Sequence, residues 1–315
     1  MRKPRPGEWP TLQDALAASA LAEQGTQSGE HIRPLHWYVA CRLCLEGGFN
    51  PDQISPRPPF TVVKRKKEKK LVISFDPQAG EAREETILGG LKTKNVDVVV
   101  TVSGIGPVVA VSLKGTLNAV RNLTNRMEEA VGDCTNLHLS YPSLVYAFWH
   151  VIRANRPGQL PLNAPAALRT RTKKDKTPPD ECRSNDIAIR GEKPVATLER
   201  YHYALLGLAD RSGTRNHITK YEAVALTLID ADDAGLGSVI DTFPKPDSPL
   251  LYQDLFQKIY REYYLRFVYQ APLLKGRTGR PGWAEDSPAL ENWRHPEYQP
   301  YPGDPEEDEV DEDEK

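Results

Sequence analysis

The sequence predicts an α/β protein in which helices flank a mixed central β-sheet. Residues 92–102 and 108–115 are apolar strand patterns, and the turn sequence SGIGP separates them. A helical pattern follows at residues 116–131, where Thr116 is the predicted N-cap, and an apolar run at residues 143–154 predicts another buried strand. The order strand, strand, helix, strand, with a helix before it, indicates a mixed sheet with helices on its faces.

Periodic patterns elsewhere in the chain extend this architecture. Helices are predicted at residues 34–47, 81–91, 196–210 and 250–269, and a further strand at residues 221–231. The first of these helices is predicted to be amphipathic. A hairpin is predicted at residues 61–76, and six of the seven residues at its tip, 64–70, are basic. Residues 156–185 form a long basic loop rich in proline, a kind of segment that is usually functional or disordered.

The charge of the chain is unevenly distributed. The formal net charge is -2, but residues 304–315 contain nine acidic residues and one lysine, so residues 1–303 carry +6. We expect one domain over residues 1–303, with its catalytic core at about 81–153, followed by a disordered acidic tail at 304–315. A mildly basic body suits a polyanionic partner.

The sequence predicts a cytoplasmic protein that does not enter a membrane. Its start lacks the apolar segment of a secretory signal, and no apolar run approaches the roughly 20 residues that cross a bilayer. The thiols of Cys41, Cys44, Cys134 and Cys182 are therefore expected to be reduced. The Cys41–Cys44 pair has no second pair at zinc-finger spacing, which favours two core cysteines over a metal site.

Three polar residues interrupt the two neighbouring apolar strands. Ser112 and Lys114 are two positions apart and share one face of their strand, and Asp97 begins the strand before it. A hairpin would bring this carboxylate and this ammonium group to one edge of a hydrophobic sheet. An unpaired buried charge is costly, so we expect each to have a partner or a metal ion there. A plain salt bridge that caps the hairpin is the alternative.

This pattern resembles the PD-(D/E)xK nuclease superfamily, in which an acid on one strand precedes an acid, any residue and a lysine on the next. Asp97 matches the first acid and Lys114 the lysine, whereas Ser112 stands where the family has its second acid. Restriction endonucleases that cut sites with a CCGG core have Ser-x-Lys at this position and take the second acid from the following helix. Thirteen residues separate lysine from glutamate in that group, and the same spacing leads from Lys114 to Glu128.

Helical geometry gives an independent prediction for the second acid. With the apolar face formed by Leu117, Val120, Leu123, Met127, Ala130 and Val131, Glu128 lies about 110° from its centre and Glu129 about 150° away. Glu128 is therefore predicted to border the sheet and Glu129 to face solvent. Glu84 or Glu85 is a possible further ligand, since some members of the superfamily place an acid on the preceding helix.

The resemblance implies a restriction-endonuclease-like core and a Mg²⁺-dependent endodeoxyribonuclease of type II restriction type. Asp97, Glu128 and the backbone carbonyl of Leu113 would hold Mg²⁺, Ser112 would ligate weakly or through water, and Lys114 would orient or deprotonate the attacking water. Double-stranded DNA would be the partner, and a homodimer would cut both strands to leave 5′-phosphates. Candidate DNA contacts are Lys66, Lys67, Arg121, Asn122, Asn125, Arg126, Arg171, Lys173 and Lys174.

Two alternatives remain open from the sequence. One is a nuclease of relaxed specificity in a phage-defence or repair system. The other is a catalytically inactive DNA-binding module with the same fold. His138 and His150 lack metal-ligand spacing and are predicted to be structural.

Overall fold

The structure is a computed structural model that describes residues 9–22, 29–117, 123–232, 235–291 and 299–305. The helices are α1 Leu12–Leu21, α2 Arg33–Leu45, α3 Leu123–Ser140, α4 Ala166–Arg169, α5 Ala196–Leu208, α6 Tyr252–Tyr263, α7 Lys275–Thr278 and α8 Pro288–Glu291. The strands are β1 Ile54–Ser55, β2 Phe60–Lys64, β3 Leu71–Phe75, β4 Glu85–Leu88, β5 Thr93–Val96, β6 Val98–Val102, β7 Gly106–Thr116, β8 Val145–Arg153, β9 Ile189–Arg190, β10 Lys193–Pro194 and β11 Ala223–Ile229. A π-helical turn, Tyr264–Tyr269, continues α6.

The predicted mixed sheet is confirmed. Five strands lie in the order β1-β6-β7-β8-β11. Pairing is antiparallel between β1 and β6 and between β6 and β7, and it is parallel from β7 to β8 and from β8 to β11. After β7 the chain passes through α3 and returns to the end of the sheet at which β7 begins. The next strand, β8, therefore runs parallel to β7.

Helices cover both faces of this sheet. Apolar residues of α1, α2 and α6 pack on one face with the inward residues of β6 and β7. Apolar residues of α3 and α5 pack on the other face. Every residue of β8 and β11 is buried, as expected for parallel strands covered on both sides. No helix in the described part of the chain has the length and apolar character to span a membrane.

The first predicted helix is present, but its predicted amphipathic character is wrong. Every residue of α2 after Arg33 is buried, because α1, α6 and the sheet surround the helix. Cys41 and Cys44 are core residues, and burial raises the pKa of both thiols. All four cysteines are free and buried, so the interpretation of the CxxC pair as core packing is confirmed.

Residues 81–91 do not form the predicted helix. Residues 85–88 are strand β4, which pairs with β5 from Glu85↔Val96 to Leu88↔Thr93. The side-chain oxygen of Asn136 on α3 accepts hydrogen bonds from the N–H groups of Leu91 and Lys92, at 2.8 and 3.0 Å. This tertiary contact satisfies two backbone N–H groups in the turn of the β4–β5 hairpin, and it outweighs the local preference of the sequence for a helix.

The predicted start of the acidic tail at residue 304 is also wrong. The side chain of Asp304 is only 6% exposed, and its carboxylate pairs with Arg280 at 2.8 Å. The hydroxyl of Tyr301 donates to the same carboxylate at 2.5 Å. The ordered body therefore includes Asp304, and residues 306–315 lie outside the described part of the chain.

A buried ion network ties α6 and the loop before β11 to β8. The carboxylate of Glu222 accepts hydrogen bonds from Arg211 at 2.8 Å, Arg266 at 2.7 Å and the Tyr146 N–H at 2.7 Å. Burial raises the pKa of this carboxyl, but the neighbouring His138 and Arg266 more than offset burial, so the pKa lies below its ordinary value. Arg266 also pairs with Glu262 at 3.2 Å, so the two guanidinium groups face two carboxylates inside the protein.

Replacing Glu222 with Gln should strongly destabilise the protein. The substitution keeps the shape of the side chain but leaves the fully buried Arg211 without a counter-charge and removes one of the two carboxylates that pair with Arg266, which costs about 3–5 kcal/mol. Urea denaturation measures this loss, with the exposed Glu199→Gln as the control, expected to change stability by less than about 0.5 kcal/mol. Equal unfolding midpoints for the two variants would contradict the role of the network.

Candidate functional site

The register between β6 and β7 brings Asp97 and Ser112 together. Val98 pairs with Val111, so Asp97, one residue before β6, lies opposite Ser112. One carboxylate oxygen of Asp97, Oδ2, accepts a hydrogen bond from the Leu113 N–H at 2.7 Å and one from the Ser112 hydroxyl at 3.3 Å. The carboxylate thus accepts a hydrogen bond from the backbone of β7 at the point where the β6–β7 pairing ends.

Lys114 lies on the same face as Ser112, two residues further along β7. Its ammonium group is 3.4 Å from the carboxylate of Glu129 on α3, and both side chains are partly buried. Arg126 donates a second, shorter hydrogen bond to Glu129, at 2.6 Å. Partial burial raises the pKa of Glu129, but Lys114 and Arg126 outweigh it, so the pKa lies below its ordinary value. This glutamate is therefore ionised at neutral pH.

The predicted orientations of the two adjacent glutamates are wrong. Glu128 is exposed, whereas Glu129 faces the sheet edge and contacts Lys114. The predicted start of the helix explains the error: Thr116 is not an N-cap but the last residue of β7.

The apolar face of α3 is therefore not the one that the sequence predicted. The predicted face included Leu117, which precedes the described helix, and Val120, which lies outside the described residues. Without these two residues the buried face is centred near Leu123, Ala130 and Cys134. That rotation of the face brings Glu129 nearer to its border.

The two glutamates before β5 occupy different places. The predicted supplementary ligand Glu85 accepts a hydrogen bond from the Thr101 hydroxyl of β6, at 3.2–3.3 Å. Glu84 is exposed, and its carboxylate is 3.9 Å from the imidazole of His36. Each acid thus has a contact of its own that does not involve Asp97.

Two buried histidines that were not predicted from the sequence lie at the site. His36, on α2, has Nε2 3.8 Å from Oδ1 of Asp97, and this nitrogen has no hydrogen-bond partner among the described residues. His31 contacts the Gly115 carbonyl through Nε2 at 3.3 Å. Burial lowers the pKa of both rings. Their positions beside Asp97 and Gly115 come from the packing of residues 31–36 against the sheet, which the local sequence does not signal.

His150 forms the neighbouring part of the sheet. It pairs with Lys114 across β7 and β8, and its ring contacts the Tyr201 hydroxyl at 2.6 Å and the Thr116 hydroxyl at 3.2 Å. Burial lowers its pKa to about 3, and the charges of Arg126 and Lys114 act in the same direction. The contacts of His150, like those of His138 with Glu222 and the Ile218 carbonyl, fit the structural role predicted for both residues.

The predicted DNA contacts have different outcomes. Arg121 and Asn122 lie outside the described residues. Lys66, Lys67, Asn125, Lys173 and Lys174 are exposed, and Arg126 is partly exposed while it pairs with Glu129. The guanidinium of Arg171 donates to the backbone carbonyls of Leu168, Thr170, Thr177, Pro178 and Glu181. Arg171 therefore shapes its loop from within, which does not favour its predicted role at a DNA surface.

The donors at this edge suit a hard cation only in part. Carboxylate, hydroxyl and carbonyl oxygens are the ligands that Mg²⁺ prefers, and Asp97, Ser112 and Leu113 supply them. No described residue donates a hydrogen bond to Oδ1 of Asp97, so one carboxylate oxygen is available. Within the described ranges, however, no three His, Cys, Asp or Glu side chains already converge as a metal site. Glu129 would have to exchange its contact with Lys114 for the cation.

Comparisons of this chain with protein-family models, with curated proteins and with solved structures found no match.

The ring of His150 should stay neutral between pH 5 and pH 8. Its folded pKa of about 3 lies below the ordinary value, so its contribution to stability is complete above pH 6.5 and is lost as the pH falls towards 3. An NMR titration of ¹³C-labelled histidine measures this, and a His150→Asn variant assigns the signal. A midpoint near about 6.5 for this signal would contradict the burial of the ring.

Proposed function

We propose that this protein is a Mg²⁺-dependent DNA endonuclease of type II restriction type that leaves 5′-phosphates. One observation carries the proposal: the strand register places Asp97 against Ser112, and Lys114 follows on the same face beside an acid of α3. These are the residue types, in the same order along the chain, of the Ser-x-Lys nucleases that the sequence resembles. Glu129 takes the place in this proposal that the sequence assigned to Glu128.

Two features favour chemistry over a plain salt bridge. Asp97 bonds to Ser112, and Lys114 follows two residues later on the same face of β7, so the two charges lie at the same end of the β6–β7 pair. Their partners are not each other: Asp97 bonds to the backbone of β7, and Lys114 pairs with Glu129. A structural ion pair would need only one acid and one base, whereas this edge also holds Asp97, whose carboxylate pairs with no lysine or arginine in the described ranges.

Each residue at the site would have a separate chemical role. Asp97, Glu129 and the Leu113 carbonyl would hold Mg²⁺, which would neutralise phosphate charge and lower the pKa of bound water. Lys114, once separated from Glu129, places an ammonium group where negative charge develops on the phosphate. Ser112 donates its hydroxyl hydrogen to Asp97 and so keeps the carboxylate pointed along the rim of the sheet.

Exposed lysines on two loops of the chain suit a polyanionic partner. The exposed lysines 66 and 67 on the β2–β3 hairpin and 173 and 174 on the basic loop supply positive charge. Such lysines contact phosphates without reading sequence, so they would hold a duplex of any sequence. A homodimer would present two sites and cut both strands.

An inactive DNA-binding module is the second candidate. The absence of a ready-made cluster of three acidic, histidine or cysteine ligands among the described residues favours it. In that case Lys114 and Glu129 would form a permanent pair, and the chain would bind a duplex without cleaving it.

Cleavage of plasmid DNA in the presence of Mg²⁺ tests the proposal. Asp97→Asn and Lys114→Met should each lower the cleavage rate at least about 100-fold, because each removes a charge that acts on the transition state. Glu129→Gln should cause a loss of similar size, whereas Glu128→Gln, its exposed neighbour on the same helix, should stay within about threefold of the parent. Discrete bands would indicate sequence-specific cutting, and a smear would indicate relaxed specificity.

Thermal unfolding of the four variants is the matched control. The ion pair of Glu129 is partly exposed and worth no more than about 1 kcal/mol, so Glu129→Gln should remain folded. A parent protein that binds the plasmid and leaves it intact in Mg²⁺ or Mn²⁺ would establish the inactive module instead. Equal effects of the Glu128 and Glu129 substitutions would remove the assignment of the α3 acid.

A further inference from the structure

The acidic residues 306–314 come directly after residues 301–305. These are hydrogen-bonded to residues 280–283, which in turn lie beside β3 of the basic hairpin. We propose that this acidic segment docks on the basic tip of the β2–β3 hairpin, residues 64–70, and excludes other polyanions from it. The proposal concerns a contact within the chain, so it does not depend on nuclease activity.

Hydrogen bonds of Leu71, at the start of β3, place residues 280–284 beside the hairpin. Leu71, the first residue after the tip, donates its N–H to the Gly282 carbonyl at 3.0 Å and accepts from the Ala284 N–H at 2.8 Å. Residues 280–284 therefore run alongside β3, and the bridge between Leu71 and Trp283 is parallel. Arg280 then lies on the side of this bridge from which the tip projects.

The last described residues run towards that tip. Trp283 N–H donates to the Tyr301 carbonyl at 3.1 Å, and Asp304 N–H donates to the Arg280 carbonyl at 2.9 Å. The chain from 301 to 304 is thus antiparallel to 280–283 and opposite in direction to β3. At Asp304 the described chain therefore runs in the direction of the end of the hairpin that carries Lys70.

An ionic anchor fixes the point from which the acidic segment starts. Asp304 pairs with Arg280, and the Arg280 guanidinium lies over the rings of Phe49, Tyr263 and Tyr301, 4.4–5.2 Å from their centroids. Pro305, the next residue, consequently has a defined position close to Arg280. Ten residues extend at most about 36 Å, which is enough to reach the whole tip.

The charges of the two segments are complementary. Residues 306–314 hold eight acidic side chains in nine positions, and the tip holds six basic side chains in seven. Arg65 is already paired with Asp286 at 2.6 Å and with Glu68 at 3.6 Å. Lys64, Lys66 and Lys67 are exposed, and no ion pair joins them to any carboxylate in the described ranges. These three lysines supply the charge that the acidic segment would neutralise.

Zero-length carbodiimide crosslinking of the full chain, read by mass spectrometry, tests the contact. At 20 mM salt we expect crosslinks from the acids of residues 306–314 mainly to Lys64, Lys66 and Lys67. At 500 mM salt these crosslinks should be lost, because the shorter Debye length screens the attraction between the two segments. Lys173 and Lys174, equally exposed in the basic loop, are the comparison. Crosslinks spread evenly over both groups of lysines would overturn the proposal.

Binding of a 20-base-pair duplex tests the exclusion. A chain ending at Pro305 should bind the duplex at least about tenfold more tightly than the full chain at 50 mM salt, since more counterions are then released from the duplex. A full-length chain with Gln and Asn at the acids of residues 306–314 should match the truncated chain, which separates charge from length.

Substitution of the lysines locates the effect. Replacing Lys64, Lys66 and Lys67 with Ser should abolish the gain from truncation, whereas replacing Lys173 and Lys174 should preserve it. Equal duplex affinity of the full and truncated chains would refute the exclusion. A protein that lacks nuclease activity but gives the expected crosslinks would refute only the proposed function, because the crosslinks require neither Mg²⁺ nor DNA.

Discussion

The hydrogen bonds of one carboxylate, that of Asp97, determine the geometry of the candidate site. This side chain occupies the break between β5 and β6 and holds the Leu113 N–H and the Ser112 hydroxyl of β7. Hydrogen bonds to a charged acceptor contribute about 1.5–3 kcal/mol, so they fix the strand register where the ladder ends. Because side chains alternate along β7, fixing Ser112 on one face also fixes Lys114 there.

The same constraint explains why the edge is polar in an otherwise apolar sheet. The crossover from β7 through α3 to β8 brings α3 over the face that carries Lys114, and Glu129 supplies the counter-charge. On the far side, α2 brings His36 within 3.8 Å of Asp97. Burying isolated charges would be costly, and the arrangement avoids that cost by giving each charge a partner while leaving the rim accessible.

Sequence patterns predicted the sheet because β8 and β11 are apolar runs buried on both faces, and β6 and β7 are apolar and buried over most of their length. They failed where tertiary contacts override local preference, as at β4, whose turn depends on Asn136 of α3. The acid on α3 was misassigned because a helix phase depends on where the helix starts, and β7 extends to Thr116. His36 was missed because its proximity to Asp97 arises only from the packing of α2 against the sheet.

The most direct test asks whether Asp97, Leu113 and Glu129 share one cation. Fe²⁺ can replace Mg²⁺ at such sites; it reduces added hydrogen peroxide to hydroxyl radicals that cut the polypeptide next to the bound ion, and ascorbate returns Fe³⁺ to Fe²⁺. The account predicts backbone cuts near residues 97, 113 and 129 that excess Mg²⁺ suppresses and that Asp97→Asn abolishes. Cuts that cluster elsewhere, or that persist unchanged in Asp97→Asn, would contradict it.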